Sequence, residues 1–410
     1  MYMYKCLTLL LFSTVGSDNS CFSGLSQSVA IRLRKYILCD YDKNSRPIRD
    51  HNQPVNLSIQ TRVIYYDYNT FDNSFTADSW MGLQWIDEHL AWNPADYESI
   101  KSVHLSSNNI WVPDFSIYNK KNGNGEQSVI RNSHCTVKID GEVRCVVSTS
   151  YTTVCISDYT NFPYDEHNCT VRFGSWTHTG EELNLEIDVI TEDLVPNGEW
   201  KLINTSAYKH PGVYECCPNN TYPSVDLSFK IQRLSGSHTA SVVFSAIVLI
   251  IITLTSLWLA PDNPHRLNLC YINIISEFVY LEYLYWMIPM NNDYRIPLIL
   301  LFARDSVVLS VFTLIFTLGL ANMMKNEQPV PELISNVVSV LVAFRLGQFV
   351  FLSNCLFKGY EEYEHYITAV HKKDATWSKT QWLIFSKILN RLCIGIFVLI
   401  YLCMFIAFNP

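Results

Sequence analysis

Residues 239–260, TASVVFSAIVLIIITLTSLWLA, carry no formal charge. Roughly 20 predominantly apolar residues let an α-helix cross the hydrocarbon core of a bilayer, so this run commits the chain to a membrane. Three further stretches qualify as spans: 267–289, which holds Glu277 and Glu282; 297–323, interrupted by Arg304 and Asp305; and 388–408. A fifth apolar stretch, 334–357, has Arg345 and Gln348 near its middle and reads as an interfacial or packed amphipathic helix. The apolar surplus is confined to this second half, because up to Arg233 the chain is polar and rich in Tyr, Trp, Asn and Ser. Charged residues make up only 17% of the 410 positions, against about 25% in soluble proteins. That excludes a disordered chain and an ordinary cytosolic enzyme. A net charge of −8 leaves no basic footprint for nucleic acid.

The first half has the marks of export. Lys5 followed by an apolar stretch reads as a signal peptide over residues 1–20. Sequons at Asn56, Asn168, Asn204 and Asn219 all precede the first span. Lys358, Lys372, Lys373, Lys379 and Lys387 lie before the last span, which places that segment in the cytoplasm and both termini outside, in a multi-pass plasma-membrane protein. Of the 13 cysteines, eight fall in the exported region, an even number suited to disulfides. Cys135 and Cys145 flank the Asp140-Gly141 turn signal, and Cys21 can pair with Cys39. Adjacent Cys216 and Cys217 either bond to each other, in a strained ring, or pair with distant partners. From Val55 to Val63 apolar and polar residues alternate, as in a half-buried strand. Asn122-Gly123-Asn124-Gly125 is a second turn signal. The expected architecture is an extracellular, immunoglobulin-like β-sandwich over 21–237 and spans one to three over 238–323. A cytoplasmic segment with amphipathic helices over 324–386 and a last span over 387–410 complete a four-helix bundle.

Several spaced motifs then occur in one order. Cys155 and Cys169 enclose Phe162-Pro163-Tyr164-Asp165; Trp111-Val112-Pro113-Asp114 precedes Tyr118 and Asn119; Phe173-Gly174-Ser175-Trp176-Thr177 follows. Tyr214 stands ahead of Cys216 and Cys217, with Tyr222 beyond, and Trp80 precedes Trp85-Ile86-Asp87. This series resembles the subunits of Cys-loop receptors, the pentameric ligand-gated ion channels of the nicotinic acetylcholine-receptor type. The resemblance implies a Cys155–Cys169 disulfide, a vicinal Cys216–Cys217 disulfide, and a ligand site shared by identical or related subunits. Tyr118, Trp176, Tyr214, Cys216, Cys217 and Tyr222 would come from one subunit, and Trp80, Arg144 and Val146 from its neighbour. Aromatic faces attract quaternary and protonated amines through cation–π interaction. Trp and Tyr also commonly fill cores, so the residues alone leave both roles open. Thr179 and Ser224 stand where the family often has acidic residues.

The resemblance also implies a pore helix lined by Asn268, Ile272, Ile275, Val279, Glu282, Tyr283 and Trp286, with His265 at its start. Ile275 and Val279 would form apolar rings that gate by dewetting. Glu282 would supply an outer ring of carboxylates, unless it pairs with Arg304. Pro264-His265-Arg266 replaces the acidic residue common in cation channels, and histidine titrates near neutral pH. Coupling would run through Phe162, Pro163, Asp165 and Arg233, with Asp67 and Asp72 both open as partners of Arg233. The function expected is a channel subunit gated by an acetylcholine-like amine. The alternatives are a non-conducting or modulatory subunit, or a channel gated by another ligand or by pH. Its other partners would be permeant inorganic ions and membrane lipid. The sequence has no HExxH, Gly-x-Ser-x-Gly or phosphate-loop motif, so neither enzyme chemistry nor a metal or cofactor is expected.

Overall fold

Alternation of apolar and polar residues builds the first half. β1 (Val55–Asn69) buries Val55, Leu57, Ile59 and Val63 while the intervening side chains face outward, because successive strand residues point to opposite faces. The computed structural model describes residues 28–121, 129–130, 132–215, 217–218, 220–288, 295–343 and 376–408. The signal segment 1–20, Cys21, the 122–125 turn, Cys216, Asn219 and residues 344–357 lie outside the described residues.

After helix α1 (Val29–Ile37) and β1 come β2 (Ser74–Ile86), β3 (Ser102–Ser106), β4 (Phe115–Ile117) and β5 (His134–Lys138). They are followed by β6 (Glu142–Val154), β7 (Glu166–Ser175), β8 (Leu183–Ile190), β9 (Trp200–His210) and β10 (Ser224–Arg233). The strands form a six-stranded sheet, ordered β3-β5-β6-β2-β1-β8, and a four-stranded sheet, ordered β4-β7-β10-β9. All pairings are antiparallel except that of β1 with β8. The inward faces meet in an aromatic core, in which Phe75 stacks on Phe229 at 5.0 Å and Phe115 on Phe173 at 5.2 Å.

Two disulfides brace the sandwich. Cys135–Cys145 joins β5 to β6 across the turn in which Gly141 adopts φ 83°, a conformation open to glycine because it lacks Cβ. Cys155–Cys169 ties the end of β6, in one sheet, to β7, in the other. Cys39 is also disulfide-bonded. Asn56, Asn168 and Asn204 are exposed.

Among the described residues, five helices follow: α2 (Gly236–Trp258), α3 (Pro264–Met287), α4 (Leu298–Met324), α5 (Glu332–Ala343) and α6 (Thr376–Ala407). Among the described residues, three segments are long and apolar enough to cross a membrane: Gly236–Trp258, Leu298–Met324 and Ser378–Ala407. The second expected span forms a continuous helix of 24 residues, but Arg266, Glu277 and Glu282 lower its mean hydropathy. Asn263 caps α3, its side chain accepting the His265 N–H at 2.9 Å, and Pro264 suits the first turn because its missing N–H would have no helical partner. The described part of 334–357 belongs to α5, which buries Val338 against Ile384 and Ile388 of α6.

The two halves meet at the loop between the bonded cysteines. Tyr159 and Phe162 are buried within the helical core rather than the sandwich, and Leu298 N donates to Thr160 O at 3.0 Å.

Candidate ligand-binding site

The site lies where β4, β7 and β10 run side by side. Beyond the end of β4, Tyr118 donates from its hydroxyl to Ser175 O at 2.5 Å. A Cβ on Gly174 would sit 2.3 Å from that hydroxyl, so glycine is required for the approach. Burial, reinforced by Tyr214 and Asp114, pushes the Tyr118 phenol up to about 12, leaving it a neutral donor. Its ring lies 4.6 Å from that of Trp176, which emerges just past β7. The loop between β9 and β10 folds over them: Tyr222 N donates to Gly212 O at 2.9 Å, and the Tyr214 and Tyr222 rings stand 6.3 Å apart. These four aromatics, with Asn119, Thr170, Arg172 and Ser175, line one cavity of about 610 Å³. Trp176 is 61% exposed. Core packing therefore does not explain it.

Asp114 holds this wall in place. Its carboxylate accepts from Trp176 N at 3.0 Å, Thr177 N and Oγ1 at 2.9 Å each, Ser175 Oγ, and His178 Nδ1 at 3.1 Å. Burial alone would raise its pKa, but the hydrogen bonds from His178, Ser175 and Thr177 outweigh burial and hold it below the carboxylate range. Beneath Tyr214, Arg172 grips Asp226 of β10 with two bonds of 2.7 Å. Sequence reading assigned no role to Asp114 or Arg172. A buried acid beside a proline and hydroxyl-rich turns was the available signal for the first, and a cross-strand ion pair leaves none.

Trp80, Arg144 and Val146 do not line this cavity. They lie on the outward face of the other sheet, where Trp80 opposes Ser148, Gly82 opposes Val146 and Gln84 opposes Arg144. Trp80 is 54% exposed. Trp85 and Asp87 of the same motif serve the core: Trp85 packs edge-on against Trp111 at 5.9 Å, and Asp87 accepts from Tyr41 at 2.5 Å. Thr179 N donates to Glu182 at 3.0 Å, and Ser224 is buried at the start of β10. Cys217 lies in the covering loop, and its expected partner Cys216 is outside the described residues.

At the junction with the helices, Arg233 settles its own pairing. Its Nε and Nη2 donate to Asp165 at 2.8 and 3.1 Å, and Nη1 donates to Glu199 at 2.6 Å. The guanidinium also lies over Trp200 at 4.3 Å and Phe162 at 5.2 Å. Neither Asp67 nor Asp72 takes that role: Asp67 accepts from Asn197 at 3.3 Å, and Asp72 pairs with Lys121. On α3, residues His265, Asn268, Ile272, Ile275, Val279, Glu282, Tyr283 and Trp286 are all exposed, along one stripe. The opposite face, with Arg266, Asn273, Glu277 and Leu284, is buried. Arg304 pairs with Asp305 at 2.8 Å rather than with Glu282.

A β-sandwich carrying an open aromatic cavity, fused to membrane-length helices, has the plan of a membrane receptor subunit. The family model of the neurotransmitter-gated ion-channel ligand binding domain matches residues 30–235, half of the chain. The chain belongs to that family, and it is of the Cys-loop, nicotinic type. It is 30% identical to the neuronal acetylcholine receptor subunit alpha-2 of Gallus gallus, over 73% of this chain and 58% of that subunit. Subunit alpha-5 of Gallus gallus is 29% identical over 70% of this chain and 64% of its own length. Subunit beta-3 of the same species is 28% identical over 77% and 69% respectively. The chain thus spans less than two thirds of the length of the alpha-2 and alpha-5 relatives.

Proposed function

We propose that this chain is a subunit of a pentameric ligand-gated ion channel that binds an acetylcholine-like cationic amine between neighbouring subunits. The observation that carries this reading is the convergence of Tyr118, Trp176, Tyr214 and Tyr222 on one open cavity. Each aromatic contact to a cation contributes about 0.5–2 kcal/mol, so a set of four supports affinity in roughly the micromolar range. The neutral Tyr118 phenol and the engaged Arg172 leave the cavity without a free charge to oppose the ligand. Trp80, Arg144 and Val146, exposed on the other sheet, supply the face that closes the cavity of the next subunit. The names of the acetylcholine receptor relatives support the same ligand class. The exposed stripe of α3 lines the pore, with both chain termini on the extracellular side of the plasma membrane.

A second reading has its own observation. Tyr283, Tyr285 and Trp286 are bulky and exposed at the end of α3, where they would crowd a pore. A subunit that binds ligand without conducting fits them. Current and amine displacement recorded from cells expressing this chain alone separate the two. Amine-evoked current supports the channel, and binding without current supports the non-conducting subunit. Loss of both, with the chain at the surface, overturns the reading.

A further inference from the structure

Behind the exposed stripe of α3, the buried faces of four helices share a polar cluster. Glu277 is 1% exposed, and Asn273, one turn earlier, is 2% exposed. Facing them are Thr253 of α2, Ser306 of α4 and Tyr401 of α6, all buried. Among the described residues, Glu277 Oε1 and Asn273 Oδ1 lack a hydrogen-bond partner, while the Tyr401 hydroxyl interacts with those of Thr253 and Ser306. Buried polar atoms are normally bonded, and a carboxyl within a span is costly unless its charge is met. Two such atoms, one turn apart on the same buried helix face, call for one common explanation.

The hydrogen-bond directions restrict it. Thr253 spends its own proton on Leu249 O at 3.0 Å, so its hydroxyl oxygen accepts from Asn273 Nδ2 at 2.9 Å. That fixes the amide with Oδ1 turned the other way, in need of a donor. An ionised carboxyl only accepts and would leave Asn273 Oδ1 opposed by negative charge. A carboxylic acid has one donor and retains acceptor capacity, which suits that amide oxygen.

No cation serves instead. Arg266 lies eleven residues earlier on the same helix, roughly 16 Å away along its axis. Its Nη1 and Nε are bonded to Leu259 O, Asn390 Oδ1 and Thr317 Oγ1 at 3.1, 2.9 and 3.0 Å, and its Nη2, unpartnered among the described residues, does not reach Glu277. Arg304 pairs with Asp305. The titratable groups facing Glu277 are phenols: Tyr401 from α6 and Tyr280 from its own helix, the latter donating to Val242 O at 3.2 Å. From α2 and α4 come only the hydroxyls of Thr253 and Ser306. We propose that Glu277 is a proton-binding site at the centre of the helix bundle. Its carboxylate takes a proton from hydronium and releases water, and the new O–H serves the amide oxygen of Asn273 one turn earlier on the same helix.

Infrared spectra of the full chain purified in lipid nanodiscs at pH 7 test this, with and without ¹³C-labelled glutamate. The expected result is a protonated-carboxyl C=O band that shifts with the label and disappears in Glu277→Gln. Because glutamine copies the shape of the acid, that variant is expected to keep the wild-type Tm, whereas Glu277→Leu lowers it by about 3 °C or more. Absence of a labelled band in the wild type overturns the proposal even if neither variant folds. So does a band that survives in Glu277→Gln. A Tm that falls when sodium is replaced by N-methylglucamine at constant pH, without such a band, assigns the cluster to a metal cation instead.

Discussion

At the scale of single residues, Trp176 and Asp114 divide the work of the cavity, and substitutions separate them. Trp176 is exposed and bonded only through its backbone, so Trp176→Ala is expected to leave folding and surface delivery intact. Amine affinity should fall by roughly 2- to 30-fold, the equivalent of one cation–π contact, as measured by equilibrium displacement. Retention of the variant inside the cell would mean that the ring supports the core after all. Asp114 instead supports the loop. Asp114→Asn removes the charge that draws donors from four residues and is expected to cost about 2 kcal/mol of stability. Asp114 and Asp165 are both held below the ordinary carboxylate value of 3.8. Their stabilisation is therefore complete above that value and disappears as pH falls through their lower folded values. Thermal unfolding followed from pH 5 down to pH 2 should show a declining Tm, with a shallower decline in Asp114→Asn. An identical slope in both proteins would remove Asp114 from the account. The aromatic residues were legible in the sequence because their types and order are distinctive. Asp114 was not, because its role depends on donors more than sixty residues away.

Among elements, the junction of β10 with α2 concentrates the most tightly coupled charges. The side chains of Asp165 and Arg233 are 0% and 3% exposed, and His167 Nε2 lies 2.6 Å from the same carboxylate. Breaking a buried pair leaves one charge stranded, at about 3–5 kcal/mol. Arg233→Gln is thus expected to lower surface expression sharply, and Asp165→Asn combined with it should restore much of the loss, because no charge is then stranded. Surface labelling of both variants checks this; a double variant as poor as the single one would show that the arginine acts through Trp200 and Phe162. Strands and apolar helices were legible because side-chain periodicity and run length belong to the local sequence. The junction was not. Its partners Asp165 and Glu199 are 68 and 34 residues from Arg233, and only the completed sandwich brings them together, past the nearer-looking Asp67 and Asp72.

For the whole molecule, the exposed stripe of α3 would, as the pore lining proposed above, decide which ion passes. In that arrangement Glu282 offers negative charge toward one end, where a Debye length of about 8 Å screens it. His265 then begins the helix at the opposite end, three residues after the exposed Asp262. With Pro264-His265 ahead of Arg266 in place of an acidic residue at the start of that helix, a weaker cation preference than that of nicotinic channels is expected. Reversal potentials under sodium and chloride gradients decide it; a channel that tracks the sodium potential closely would show that Glu282 prevails. The parallel pairing of β1 with β8 bears on how the chain is made. Asn56 and Asn184 bond across that pair although 128 residues separate them. During synthesis, β1 acquires its β2 partner early and then waits with an open edge until the ribosome has released β8. An open edge is a template for wrong pairing, and long-range pairing is slow to form. A nascent chain that stops short of Leu183 therefore cannot shield its first strand, which makes the interval between β2 and β8 the stretch of translation over which chaperones have the most to protect.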